Sequence, residues 1–374
     1  MKVAILGENK PGFIQPMSLG LTSMLTRLGV ESQYFPDGLA LLNYQQQASV
    51  KNRAKMRVKK TINRFIPQRF VLQQNVTAKQ LKVFEAHLPD FDLIVVVCHL
   101  PTAFINTELA GIEKIRTMFE LPIMLYQNYY LATRGKWYKN IVNPANYGGG
   151  RGIERYDWYL AASIVSEYPL TGVGHPCSVI GHDLVDDSLC INAGIPFKVL
   201  LDFERKGFEK YRRTQLRALA ETNTPYTQLS GRYSQQQIRA LYCEHSALFL
   251  SFRESFGLPI VENQLCGNFI FSPFKHWTPS HFIGKSVYDR GEGDLGRNFR
   301  IYDNDVEKLK AQLIKCREHY QPQQVRDDFA AQYPQLYHGD LDALQAVLDK
   351  VSSGEIHGRS HLGYEKLNAG IVGE

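Results

Sequence analysis

The sequence predicts an α/β protein built from two doubly wound domains facing a central cleft. Three observations carry this. Short apolar runs alternate with amphipathic stretches of helical period, the pattern of βα units. The alternation stops at a cluster of turn residues near 167–174, "EYPLTGVG", and then restarts. The chain has 374 residues, too many for one ordinary core and suited to two.

The elements follow in order. "KVAILG" (2–7) reads as a buried first strand, and the opening residues lack the basic and long apolar regions of a signal peptide. "PMSLGLTSMLTRLG" reads as a helix, with Leu21, Met24, Leu25 and Leu28 on one face and Gly29 as its stop. "VESQYF" is a second strand. "FDLIVVVCHL" (91–100) is a continuous apolar run, as expected of a parallel strand covered on both faces. "TELAGIEKIRTMFE" reads as a helix, "LPIMLYQN" as a strand, and "YDWYLAASI" (156–164) as the last strand of the first half.

In the second half "PFKVLLDF" (196–203), "TPYTQLSG", "SALFLSF" (246–252) and "NFIFSP" read as strands. "GFEKYRRTQLRALAE", "SQQQIRALYCEH" and "PIVENQLCG" are the intervening helices. Ser234 and Gln237 have capping-box spacing, and Pro259 and Gly267 bracket the last of the three. From residue 305 onward three amphipathic helices follow, and the final twenty or so residues read as frayed. The expected division is 1–170, 171–325, and 326–374 for C-terminal helices and tail.

Composition narrows the function classes. No run reaches the roughly 18 apolar residues of a membrane span. The six cysteines are scattered without a CxxC pair, which argues against zinc or a disulfide framework and suits a reducing cytoplasm. The formal net charge of +6 is uneven, since residues 51–70 hold eight Lys or Arg and no acid. The segment reads either as a solvated face or as a contact with an anionic partner, a lipid headgroup or a phosphorylated acceptor, and the apolar residues interleaved with its charges suit an anionic membrane surface. No nucleic-acid motif accompanies it, and no nucleic-acid partner is expected.

The stretch "SFRESFGLPIVENQLCG" (251–267) carries the chemistry. It leaves the C-terminal end of a strand, where open α/β sheets bind ligands. Gly257 permits a backbone conformation other residues resist, and the first amides of the following helix suit an anion. Glu254 and Glu262 each accept two hydrogen bonds, which matches vicinal hydroxyls. A sugar nucleotide offers phosphates to the amides and hydroxyls to the glutamates. The plainer alternative is a surface acid at Glu254 and a dipole-favoured glutamate at Glu262.

Glu254 to Glu262, E-S-F-G-L-P-I-V-E, resembles the E-x7-E motif of retaining glycosyltransferases of the GT-B fold, family 4 in particular. The likeness covers about residues 233–273, with weaker support back to 197. It implies that Glu254 contacts the donor sugar and Glu262 the ribose. It also brings the backbone of Ser255, Phe256, Gly257 and Leu258 toward the sugar or diphosphate. The family's Arg and Lys after the first strand of the second domain correspond to Arg205 and Lys206, at a shorter spacing. Their alternative is as ordinary charges at a helix start. A catalytic-region histidine after a first-domain strand corresponds to His99, with Asn128 at a competing strand end. "NYGGGRG" (146–152) reads as a flexible loop over the acceptor side.

The resemblance implies a retaining glycosyltransferase that works without a metal ion or other cofactor. It would use a nucleoside diphosphate sugar and a glycan, lipid-linked or other hydroxyl acceptor in the cytoplasm or on the cytoplasmic membrane face. Two alternatives stay open: a sugar-nucleotide epimerase or phosphorylase-like enzyme on the same fold, and a catalytically silent binding protein.

Overall fold

The computed structural model describes residues 1–7, 14–38, 41, 78–97, 121–127, 156–162, 176–184, 187–191, 194–252, 257–275 and 296–356. The helix expected at 107–120, the basic segment 51–70 and the glycine-rich 146–152 lie outside them.

Two parallel sheets organise the chain. The first has six strands, β1 (Lys2–Leu6), β2 (Glu31–Phe35), β3 (Leu93–Val97), β4 (Ile123–Gln127), β5 (Trp158–Ala161) and β6 (Cys177–Val179), in the order β2-β1-β3-β4-β5-β6. The second has five, β7 (Val199–Leu201), β8 (Tyr226–Gln228), β9 (Ala247–Phe249), β10 (Phe269–Ser272) and β11 (Phe299–Ile301), in the order β11-β10-β9-β7-β8. All pairings between named strands are parallel. Each sheet starts in its interior, adds a strand on one side and then crosses to the other, the doubly wound arrangement.

The helices cover both faces. In the first domain α1 (Ile14–Arg27) sets Met17, Leu21, Met24 and Leu25 against Val3, Ile5, Val95 and Val97. On the opposite face α2 (Ala78–His87), which periodicity did not reveal, contributes Phe84 beside Leu88, Phe91, Ile94 and Val96. In the second domain α3 (Glu209–Glu221) and α6 (Val306–Glu318) pack on one face through Leu219, Leu309 and Leu313. The other face is covered by α4 (Gln235–Cys243), α5 (Leu258–Leu265) and α7 (Pro322–Gln332), through Tyr242, Ile260, Val261 and Phe329. The capping box at Ser234 forms as expected, with both reciprocal hydrogen bonds present.

Two features depart from the expected division. β6 belongs to the first sheet although it lies beyond residue 170, because Tyr159–Ala161 of β5 pairs with Cys177–Val179. After the short α8 (Pro334–Tyr337), α9 (Leu341–Ser352) returns to the first domain and buries Leu344, Val347 and Leu348 beside α1. The crossing is tight. His182 N donates to Gln335 O at 2.7 Å, Asp340 N donates to Ile180 O at 2.8 Å, and Asp183 accepts from Ser23 and Arg27 of α1. Gly20 is required there, since a Cβ would come within 2.0 Å of Asp183 O.

Candidate active site

In the second sheet the chain leaves β7 toward β8 on one side, and β9 lies on the other. The crevice at such a switch point, outside the C-terminal ends of β7 and β9, is where doubly wound sheets place ligands. The two segments singled out in the sequence bracket this point: Arg205 and Lys206 follow β7, and the loop ending at Gly257 follows β9.

The strand ends are tied by a buried polar network. Asp202, directly after β7, accepts from Ser251 N at 2.6 Å and Ser251 Oγ at 2.7 Å, Ser251 lying two residues beyond the end of β9. Arg212 of α3 donates to the Asp202 carboxylate and, at 2.6 Å, to its backbone carbonyl. Gln215 donates to Leu250 O at 2.8 Å and to the Tyr302 hydroxyl at 3.0 Å. Burial pushes the Asp202 carboxyl up to about 6 against the pull of the Arg212 charge and the Ser251 donors. The network fixes the spacing of the two loops. Sequence reasoning missed it, and its only signal was an acid directly after the apolar run "KVLL".

Arg205 and Lys206 are exposed. The Arg205 guanidinium lies over the Phe252 ring, with Cζ 3.5 Å from the centroid. The loop after β7 therefore touches the loop after β9 immediately before residues 253–256. Phe252 is itself seated on Tyr211, with Phe208 and Phe274 packed against them.

Gly257 opens α5 in the left-handed region, at φ 79° and ψ 37°. Its carbonyl accepts from Ile260 N and Val261 N. The helix then runs to Leu265, with Cys266 as its cap and Gly267 at φ 84° beyond it. Glu262 sits in the second turn and not the first, so the N-terminal dipole does not account for it. It is buried and pairs with Arg239 of α4: Arg239 Nε and Nη2 reach the single oxygen Oε1 at 2.9 and 2.7 Å. Arg239 Nη1 also donates to Ser188 Oγ at 2.9 Å. On α5's other side Asn298 Nδ2 donates to Gln264 Oε1 at 3.1 Å and Val325 O at 2.7 Å, so the helix is held from both flanks.

Of the sequence-derived site residues, Arg205 and Lys206 follow β7, Gly257 and Leu258 open α5 after β9, and Glu262 is buried in the second turn of α5 against Arg239. Glu254, Ser255, Phe256, His99 and the competing Asn128 lie outside the described residues. In the first domain the C-terminal end of β2 borders a hollow of about 460 Å³, lined by Phe35, Pro36, Asp37, Leu41, Phe84 and His87 among others. Among the described residues Cys190, Cys243, Cys266 and Cys316 are free thiols. No helix among the described residues is long and apolar enough to cross a membrane.

No family model matches the chain, and no curated protein matches it. Among solved structures it is similar to the UDP-GlcNAc 2-epimerase from Neisseria meningitidis bound to UDP-GlcNAc. The TM-score is 0.53 at 10% identity, over 94% of this chain and 100% of that one. It is similar to an alpha-glucosyltransferase in complex with UDP-glucose and DNA containing an abasic site, with a TM-score of 0.53 at 11% identity, over 94% of this chain and 99% of the other. At such identities the likeness speaks to architecture alone, and the architecture is the GT-B fold: two Rossmann-like parallel α/β domains.

Proposed function

We propose that this chain is a retaining glycosyltransferase that moves a sugar from a nucleoside diphosphate sugar to an acceptor hydroxyl, in glycan, glycolipid or other glycoconjugate synthesis. The observation that carries the reading is that two exposed cations, Arg205 and Lys206, follow β7 while a left-handed glycine, Gly257, opens the helix that follows β9, at the switch point of the second sheet. Arg205, Lys206 and the first amides of α5 hold the diphosphate and stabilise the charge that grows on the leaving group. Glu254 faces the transferred sugar, and the backbone from Ser255 to Leu258 approaches it. Glu262, held by Arg239, takes the ribose. His99 comes from the first domain, on the acceptor side. The reaction needs no metal ion.

Residues 51–70 supply a peripheral contact with an anionic membrane on its cytoplasmic face. A nucleic-acid acceptor is not part of the reading, but one similar structure holds DNA, so duplex DNA belongs in the acceptor panel.

A second reading, sugar-nucleotide epimerisation, is favoured by the likeness to a 2-epimerase over nearly the whole chain. The test starts from a melting screen with UDP, GDP, ADP and their sugars. A ligand at 100 times its dissociation constant adds about 2.7 kcal/mol. The stabilising sugar nucleotide is then incubated with and without acceptors. Acceptor-dependent release of the nucleoside diphosphate supports transfer. Acceptor-independent inversion at a sugar carbon would establish the epimerase. Stabilisation without turnover would leave a silent binder.

A further inference from the structure

Three cysteines far apart in sequence meet behind the α4–α5 pair. Cys243 ends α4 and is half-exposed; Cys266 caps α5 and is fully buried; Cys190 is exposed on the segment that runs past both. Cys243 Sγ lies 3.8 Å from Cys266 Sγ, accepts from Cys190 N at 3.2 Å, and is 3.3 Å from Ser188 O. Two thiols at van der Waals distance on fixed helix ends need a shift of under about 2 Å to bond. We propose that Cys243 is a modification site, a thiol that reduces hydroperoxides and is resolved by Cys266 into a disulfide joining α4 to α5.

The geometry divides the roles. Cys243 alone of the pair meets solvent, so it is the one an oxidant reaches. The hydrogen bond from Cys266 brings the Cys243 thiol down to about 6, with the Cys190 donors adding to it and burial and Glu244 opposing. The same bond and burial raise the Cys266 thiol, so Cys266 keeps its proton. A thiolate that is both reachable and paired with a resolving thiol is the pattern of an oxidisable cysteine. A lone core cysteine would have neither feature.

The chemistry balances in two steps. The Cys243 thiolate attacks one peroxide oxygen, the O–O bond breaks, and the departing hydroxide takes up a proton as water, leaving a sulfenic acid. Cys266 sulfur then attacks the Cys243 sulfur. The S–S bond forms, the S–O bond breaks, and the hydroxyl leaves with the Cys266 proton as a second water. Two thiols lose two electrons to one hydroperoxide. Cys243 lies one helical turn beyond Arg239, and Cys266 one turn beyond Glu262. The new bond therefore joins the same two helices as the buried ion pair.

The test titrates the reduced full chain with hydrogen peroxide, blocks remaining thiols with N-ethylmaleimide, and maps a non-reducing digest by mass spectrometry. The expected product is a cross-linked peptide pair holding Cys243 and Cys266, two hydrogens lighter than its parts, with Cys177 and Cys316 alkylated. Cys190→Ser keeps the cross-link. Cys266→Ala leaves a Cys243 sulfenic acid that dimedone traps. The wild-type map decides the question by itself if a variant fails to fold. A Cys190–Cys243 cross-link in the wild type, or oxidation of Cys243 no faster than of Cys177, overturns the proposal.

Discussion

Glu262→Gln separates a structural from a ligand-binding glutamate, and the structure sets its size. The carboxylate and the Arg239 guanidinium are each under a tenth exposed, at 6% and 8% for their side chains. Glutamine keeps a carbonyl oxygen that can accept both Arg239 bonds, but it leaves the guanidinium as an uncompensated buried cation. Removing one partner of a buried pair costs about 3–5 kcal/mol, and the retained acceptor places this change near the lower end. At roughly 2–4 °C per kcal/mol for a domain of this size, the melting temperature of the ligand-free protein falls by about 6–12 °C. Urea denaturation with a double-mutant cycle checks the assignment. Arg239→Met combined with Glu262→Leu recovers most of the single-variant loss, because a buried pair replaced by apolar groups is often neutral. Below the melting range, the same Glu262→Gln protein is assayed for donor. The proposed ribose contact raises the donor KM and weakens the bare nucleoside diphosphate, with a smaller change in kcat. If Glu262→Gln melts at the parent temperature, the buried pair does not exist in solution. If it melts low but binds nucleotide normally, Glu262 is purely structural.

Three further outcomes are expected. Glu254→Gln lowers kcat more than it weakens the bare nucleotide, since charge develops on the sugar it is proposed to face; equal losses in both would sink that role. His182 is fully buried against the Tyr126 hydroxyl, and burial lowers it from 6.5 to about 3. Its folded state thus stays neutral while the unfolded chain gains a proton, so its stabilisation is present above pH 6.5 and is lost as pH falls toward 3. The His182 share of the loss from pH 7 to pH 5 is about 2 kcal/mol, read as the part of the urea-midpoint difference between the two pH values that disappears in His182→Gln, the remainder belonging to other shifted groups such as His245 and Asp202. Gly257→Ala forces a Cβ into the left-handed region at a cost of about 1–2 kcal/mol, and it weakens nucleotide binding in isothermal titration if this turn aims the α5 amides; unchanged binding would remove the turn from the site.

The elements that were legible in the sequence share a physical reason. β1, β3, β4, β7, β9 and β10 are interior strands covered on both faces, so they read as uninterrupted apolar runs. β6 and β11, which were not read, are edge strands of three residues with at most one buried, so neither stands out as an apolar run. α2 has a weakly apolar face and follows a long basic stretch, so nothing marked its start. Within the candidate site, Gly257 and Pro259 were readable because backbone conformation and helix starts are local properties. The partner of Glu262 was not, because Arg239 lies 23 positions away and is reached only when α4 and α5 pack side by side.

The sequence by itself therefore determined the alternation of elements, the two-domain α/β class, and the segment from Glu254 to Glu262 as the place to look, since each rests on periodicity or local turn chemistry. Tertiary structure alone decided the rest. It carried β6 into the first sheet, sent α9 back across to α1, tied Asp202 to Ser251 and Arg212, and brought three cysteines together behind the ion pair. Those relations join residues from 10 to more than 300 positions apart. Chain order does not encode such distances; packing both faces of two sheets sets them, and with them which polar groups must be buried in pairs.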